Sequence, residues 1–426
     1  MRVLYARRAK AALSRRQIPA CLTLRRRWTP AQPGLMNGDQ MEKGRTYGPS
    51  RERNQEAPVS LTRGDDYPIH QTPEPIAFTQ GERNFYDRYF FNGYAHEGDR
   101  FFSLAFGVYP QLGIADAAFC VVRGGVQTSL HASRWLGLER MDLKVGPIRI
   151  EVVEPLVKLH LIVEAPEQGL HADILFEARH FPIEEPRFTR RIGPRVFMDY
   201  TRLTQNGRYT GWIELDGKRE RVDGHVGTRD RSWGIRPVGA QDSQPATPPA
   251  LPQFFWLWSP CNFEHGSLFC HTNDDAAGQP WNRRAVFAAD GSSEVEQQHF
   301  AEARYDIQWR SGTRRAQTAT LTLEGAGGES TVSFTPVYAF QMLGLGYTHP
   351  KWGHGSLHGQ LEIEREDLKL AEADPRLVHH LHVQALSDVV WRTADGRERK
   401  GRGVLEQLAI GPHAPSGFAQ ILDMAP

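Results

Sequence analysis

"GPIRIEVVEPLVKLHLIVEAP", residues 146–166, decides the fold class. Ile148, Ile150 and Val152 alternate with polar residues, and Val157, Leu159, Leu161 and Val163 repeat the pattern one segment later. A period of two puts every second side chain on the same side of an extended chain, so the stretch reads as two half-buried strands. The style continues outward in "FFSLAFGVY" (101–109), "DAAFCVVRGG" (116–125) and "ADILFEARHFP" (172–182), and again in short segments beyond residue 250. Strands at roughly ten-residue spacing are the signature of an all-β sandwich or barrel. Helical periodicity is scarce: "HASRWLGLERM" (131–141) and "PRLVHHLHVQALSD" (375–388) are ambiguous, and the latter reads as well as a strand.

The chain has 426 residues, 40% hydrophobic and 24% charged, which describes an ordinary soluble globular protein with room for two domains. Its net charge of +1 hides an asymmetry: residues 1–45 carry eleven Lys/Arg against two acids, Asp39 and Glu42. The remainder is mildly acidic, which argues against nucleic acid as a partner. No window approaches the ~18 uninterrupted apolar residues of a membrane helix, so no transmembrane segment is expected. The basic head reads as an extension rather than a signal peptide, because Pro19 and Arg25-Arg26-Arg27 interrupt any apolar core, and a cytoplasmic location is expected. The expected division is a basic extension over 1–65, β-domains over 66–200 and 201–415, and a tail over 416–426. Oligomeric state is not legible.

Asn206-Gly207 and Asp216-Gly217 read as hairpin turns. A turn at His265-Gly266 in "CNFEHGSLFC" would place Cys261 opposite Cys270, as two packed thiols in a reducing compartment. The hairpin also gathers Trp256, Trp258, Phe269, His271 and Asn273 on one face, an apolar surface with a polar fringe such as a ligand cavity requires. Core packing explains the two indoles equally well. "PVGAQDSQPATPPALP" (237–252) is a Pro-rich excursion, either a lid or a tolerated insertion. "RHFPIEEPRFTRR" (179–191), with Glu184 and Glu185, reads as a crossover whose charges are solvated or interdomain pairs.

"GTRDRSWGIRP" (227–237) is the densest run of charge: Asp230 between Arg229 and Arg231, then Trp233 and Arg236. With the aromatic strand "FFWLWSP", the tight hairpin and the polar turn "NDDAAGQPW", residues 227–287 resemble the carotenoid 1,2-hydratase (hydroxyneurosporene synthase) and AttH-like group. The resemblance implies two consecutive calycin- or lipocalin-like antiparallel β-barrels, or strongly curved sandwiches, with few short helices. It also implies that Asp230 is the acid that protonates a carbon–carbon double bond, with Trp233 beside it.

Such an acid must stay protonated near neutral pH, which needs desolvation, and nearby arginines would oppose it. In an extended chain Arg229 and Arg231 point away from Asp230, but Trp233 then also lies on the opposite face unless the chain turns. The competing reading makes Asp230 with Arg229, Arg231 or Arg236 a structural ion pair at a strand end. Tyr347 and Trp352, in "LGLGYTHPKWGHGSLHG" (343–359), are candidates for a cavity rim. His349, His354 and His358 match no strong ligand spacing, and neither metal nor cofactor is expected. Two functions follow. One is a cofactor-independent hydratase, isomerase or cyclase for an isoprenoid-, steroid- or polyketide-like hydrophobic substrate, with Trp256 or Trp258 facing a cation. The other is a non-catalytic binding protein for a lipid or steroid.

Overall fold

The alternating segments become strands in the computed structural model, which describes residues 61–71, 75–76, 81–241 and 252–426. Among the described residues they form two antiparallel sheets, of 14 and 9 strands, joined by short 3-10 turns. The all-β expectation holds. In the first sheet the order runs from Leu361–Lys369 through Val126–Trp135, Ile114–Arg123 and Phe101–Tyr109 to three central strands: Phe85–Tyr94, His225–Ile235 and Arg195–Leu215. Leu170–Ala178, Lys158–Ala165 and Ile148–Glu154 complete it, and the short Lys144–Val145 packs back against Ile114–Arg123 and Val126–Trp135, so the sheet curls.

In the second sheet Phe254–Phe263 lies between Gly266–Asp274 and Glu398–Ile410, and Val383–Arg392 follows. Each sheet closes on an apolar core, around Phe102, Leu161 and Phe176 in the first and Leu257, Leu321 and Val332 in the second. A third cluster, with Phe90, Tyr200, Trp256 and Trp258, draws residues from both sheets and fills the space between them. That middle layer holds the site.

Several boundaries differ from expectation. Residues 58–426 form one compact unit. The expected division at 200/201 falls inside the strand Arg195–Leu215, and the chain passes to the second sheet between Ile235 and Phe254. Leu361–Lys369 then returns to the first sheet. The extension does not reach residue 65: Thr62 caps the turn Arg63–Asp66, and Asp66 is wholly buried. Nor are residues 416–426 a free tail, since the Arg314 guanidinium holds Asp423. The basic head and residues 242–251 of the Pro-rich excursion lie outside the described residues.

Asn206-Gly207 is not a turn. It sits within a 21-residue strand, where Gly207 lies under the ring of Phe176; a Cβ there would come within 2.1 Å of the ring. That glycine admits an aromatic ring, whereas Asp216-Gly217 does form a hairpin, with both residues at positive φ. Of the two ambiguous segments, 131–141 is strand to Trp135, and 375–388 is a 3-10 turn followed by strand from Val383. The hairpin turn falls at Glu264-His265, one residue early, so Cys261 opposes Leu268 and Ser259 opposes Cys270. A one-residue shift of the turn moves partners by two, which preserves the faces. Trp256, Trp258, Phe269 and His271 therefore still share one side, while both thiols sit in the core of the second sheet.

Candidate functional site

The strand His225–Ile235 runs straight between Phe85–Tyr94 and Arg195–Leu215, and Asp230 pairs with Phe90 on one side and Thr204 on the other. Alternation along it is strict. Arg229 and Arg231 face the core of the first sheet, where Arg229 ion-pairs with Asp66 and Arg231 with Asp87. Trp233 shares their face and stacks on His70, ring centroids 3.8 Å apart. Trp233 therefore does not stand beside Asp230, because no turn at Ser232–Gly234 brings it round. Gly234, at φ 139, instead lets Tyr200 approach closely while the strand continues.

Asp230 faces the layer between the sheets, with Tyr86, Arg88, Ser232 and Arg236 on the same face of their strands. Its carboxyl makes no hydrogen bond or ion pair among the described residues and keeps 8% of its surface accessible. Burial pushes its pKa up to about 6, against the pull of Arg202 and with a further push from Glu185. Burial likewise lifts the Tyr86 phenol to about 12.

Arg202, absent from the sequence-based candidates, reaches the same layer two residues before Thr204. Its Nε donates to Glu185 at 3.0 Å, and the guanidinium lies over the rings of Trp256 (4.6 Å) and Phe188 (4.7 Å). Glu185 is not a solvated crossover charge. It is buried, accepting from Thr204 Oγ1 at 2.5 Å and Trp258 Nε1 at 3.3 Å, with His271 Nδ1 3.6 Å away. Trp256 has a cation on its face already and gives its indole N–H to Glu406 at 2.9 Å. The expectation that its ring waits for a substrate cation is thereby corrected.

The opposing wall supplies a second acid–base group. Glu406 accepts from His382 Nε2 at 2.7 Å and Gln384 Nε2 at 2.7 Å. Burial works against its charge, but these bonds and that of Trp256 hold the carboxyl below the ordinary glutamate range. With its Nε2 proton committed to Glu406, His382 presents Nδ1 as a buried lone pair that has no partner. Its ring packs edge-on against Tyr347, which also meets His354.

His271 and Asn273 are wholly buried on the Trp258 side. Asn282 Oδ1 lies 2.8 Å from His271 Nε2, and burial drops this imidazole to about 4. Asn273 donates from Nδ2 to the Phe255 carbonyl, and its Oδ1 is buried without a partner. Trp352 stands apart, sandwiched between His131 and His358 beside a pocket lined by Asp116, Ala118, Ser133 and His354.

The three histidines of residues 349–358 diverge, but His349 joins His131 around Glu366, with contacts of 2.9 and 3.3 Å to one carboxylate oxygen. His349 Nδ1 accepts the backbone N–H groups of Lys351 and Trp352 at 3.0 and 2.8 Å, which keeps the ring proton on Nε2 and aims it at Glu366. His349 thus offers that point a hydrogen bond rather than a metal-binding lone pair.

Of the sequence candidates, Asp230, Trp256, Trp258, Phe269, His271 and Tyr347 belong to the middle layer. Arg229, Arg231 and Trp233 face away from it, and Arg236, which was expected to be an ion-pair partner, lies on His354 with no acid in ion-pair contact among the described residues. Fold and site together define a two-sheet β-protein with a buried acid–base interior. The chain belongs to the Family of unknown function (DUF8625), whose sequence profile matches residues 61–419. That family, rather than the carotenoid hydratase group resembled by residues 227–287, is the one the whole chain matches. No curated protein sequence matches the chain. The chain is similar to the crystal structure of kievitone hydratase from Nectria haematococca, at 10% identity and a TM-score of 0.45, over 79% of this chain and 93% of that one. Among the described residues no helix is long and apolar enough to cross a membrane.

Proposed function

We propose that this protein is a cofactor-independent proton-transfer enzyme, a hydratase or isomerase, acting on a small hydrophobic molecule held between its two sheets. One observation carries the reading: Asp230 stands in the interior as an unpaired acid whose pKa burial lifts to about 6, while Glu406-oriented His382 presents a free lone pair on the other sheet. A carboxylic acid with a pKa near 6 both holds a proton and gives it up at neutral pH, which is what general acid catalysis needs. In hydration, Asp230 protonates carbon and His382 takes a proton from the attacking water. In isomerisation, the same two groups deliver and remove protons at different carbons. Aromatic rings and the desolvated interior exclude bulk water.

The reading is tested by native mass spectrometry and lipid extraction on protein from its own host, followed by turnover of the molecule recovered. Asp230→Asn is expected to lower turnover at least a hundredfold, within the usual range for a lost general acid, while leaving binding intact. Undiminished turnover in that variant contradicts the assignment. A recovered molecule that binds but is never converted favours the binding-protein alternative.

A further inference from the structure

Two cations of the middle layer have no acid in ion-pair contact among the described residues. Glu185 ion-pairs with Arg202, Glu406 accepts from the neutral His382, and Asp116 and Asp230 lie within the field of Arg88 without forming an ion pair to it. Arg88 and Arg236 remain, and neither has a carboxylate partner among the described residues. Both guanidiniums converge on His354. Arg236 Nη2 lies 3.1 Å and Arg88 Nη1 3.5 Å from its Nδ1, while its Nε2 is 2.9 Å from the Leu345 carbonyl oxygen. Donation from Nε2 to that carbonyl makes Nδ1 the acceptor, so His354 is neutral, and burial together with the two arginines holds its pKa well below the ordinary value.

The His354 lone pair therefore faces two cations, and Arg88 also donates from Nη2 to the Leu345 carbonyl at 3.1 Å. Arg88 also lies 4.7 Å from the Tyr347 ring centroid, and Arg236 lies 4.4 Å from that of Tyr86. The Nε atoms of both are buried without a hydrogen-bond partner, and Arg88 is 2% exposed. A buried cation with no counter-ion in contact is costly, and the half-buried Arg236 lies beside it. Strand alternation places both on the Asp230 face.

We infer that Arg88 and Arg236 form the anchor for an anionic oxygen, a carboxylate or acidic phenol, on the hydrophobic substrate. This rests on reading the middle layer as the substrate site, and it narrows the substrate class. A wall bearing Arg88, Arg202 and Arg236 repels a carbocation and favours a substrate that carries, or shifts, negative charge onto oxygen. A plain isoprenoid alkene does not fit it.

The test compares 2-naphthoate with its neutral analogue 2-naphthamide by calorimetry on the full chain, in wild type and in Arg88→Gln and Arg236→Gln. The naphthoate is expected to bind wild type at least tenfold more tightly, with the preference falling to near parity in either variant while naphthamide affinity is unchanged. Equal binding of the two by wild type overturns the anionic anchor, and leaves the interior as an apolar site. A preference that survives both substitutions overturns it as well. Binding of neither probe by wild type overturns the anchor and, separately, the reading of the middle layer as a site. The wild-type comparison stands even if a variant fails to fold.

Discussion

The two faces of the strand His225–Ile235 carry similar residues to opposite ends. On one face Arg229 and Arg231 each meet a buried aspartate. Asp66 also accepts the N–H of Leu156, a residue at φ 64, and Gln205 bridges Arg229 to the Leu156 carbonyl. Those charges are fully matched, and they fix the first described turn of the chain and a strained corner. On the other face Asp230 makes no ion pair, and Arg88 and Arg236 lie nearby with no acid in ion-pair contact among the described residues. Matched buried charge specifies structure, and unmatched buried charge costs stability that a ligand or a reaction must justify.

Substitutions on the two faces should therefore move stability in opposite directions. The largest effect is expected from Asp66→Asn, which strands Arg229 and should cost about 3–5 kcal/mol in urea unfolding. A cost near zero would mean the matched face is not structural. Asp230→Asn should instead stabilise at pH 8, by about 2–3 kcal/mol at most. The sign follows from its raised pKa: between its ordinary value of 3.8 and about 6 the folded state holds the proton more tightly than the unfolded state. Stability due to this group is thus present at low pH and lost as pH rises through that window, and the gain in the variant should vanish below pH 4. A variant that is destabilised at pH 8 would mark Asp230 as a structural partner.

Trp233→Leu removes the stack on His70 and the Arg231 guanidinium contact at 5.8 Å and should cost roughly 1 kcal/mol, with no change in ligand affinity, whereas Trp256→Leu should weaken binding. A loss of affinity in Trp233→Leu would break the division of faces. The smallest effect concerns the thiols. Non-reducing peptide mass mapping after mild oxidation of the folded protein should find no Cys261–Cys270 bridge, because both are buried and are not opposed in register.

The all-β class and the shared face of Trp256, Trp258, Phe269 and His271 were legible in the sequence, because a period of two survives small errors in turn position. The orientation of Asp230 away from its arginines was also open to strand geometry. The rest of the site was not. Reading Asn206-Gly207 as a turn broke the strand that carries Arg202, and nothing local distinguishes a glycine that admits the Phe176 ring from one that turns the chain. Glu185 looked solvated among its arginines, since its burial depends on Trp258 and Thr204, distant in sequence. His382, immediately before the strand Val383–Arg392, and Glu406, on the paired strand Glu398–Ile410, lie 24 residues apart, and only the sheet-to-sheet packing brings Glu406 within electrostatic reach of Asp230. The alternation Tyr200, Arg202, Thr204 was the one signal that could have revealed part of this wall.

The central claim is that Asp230 stands unpaired in the folded interior with its pKa raised to about 6. Carboxyl chemical shifts of 13C-aspartate-labelled protein, titrated from pH 3 to 8 and assigned by comparison with Asp230→Asn, test it directly. A resonance lost in the variant and titrating near 6 is the predicted result. A resonance titrating below the ordinary 3.8 would show an ionised, partnered carboxylate and contradict the account.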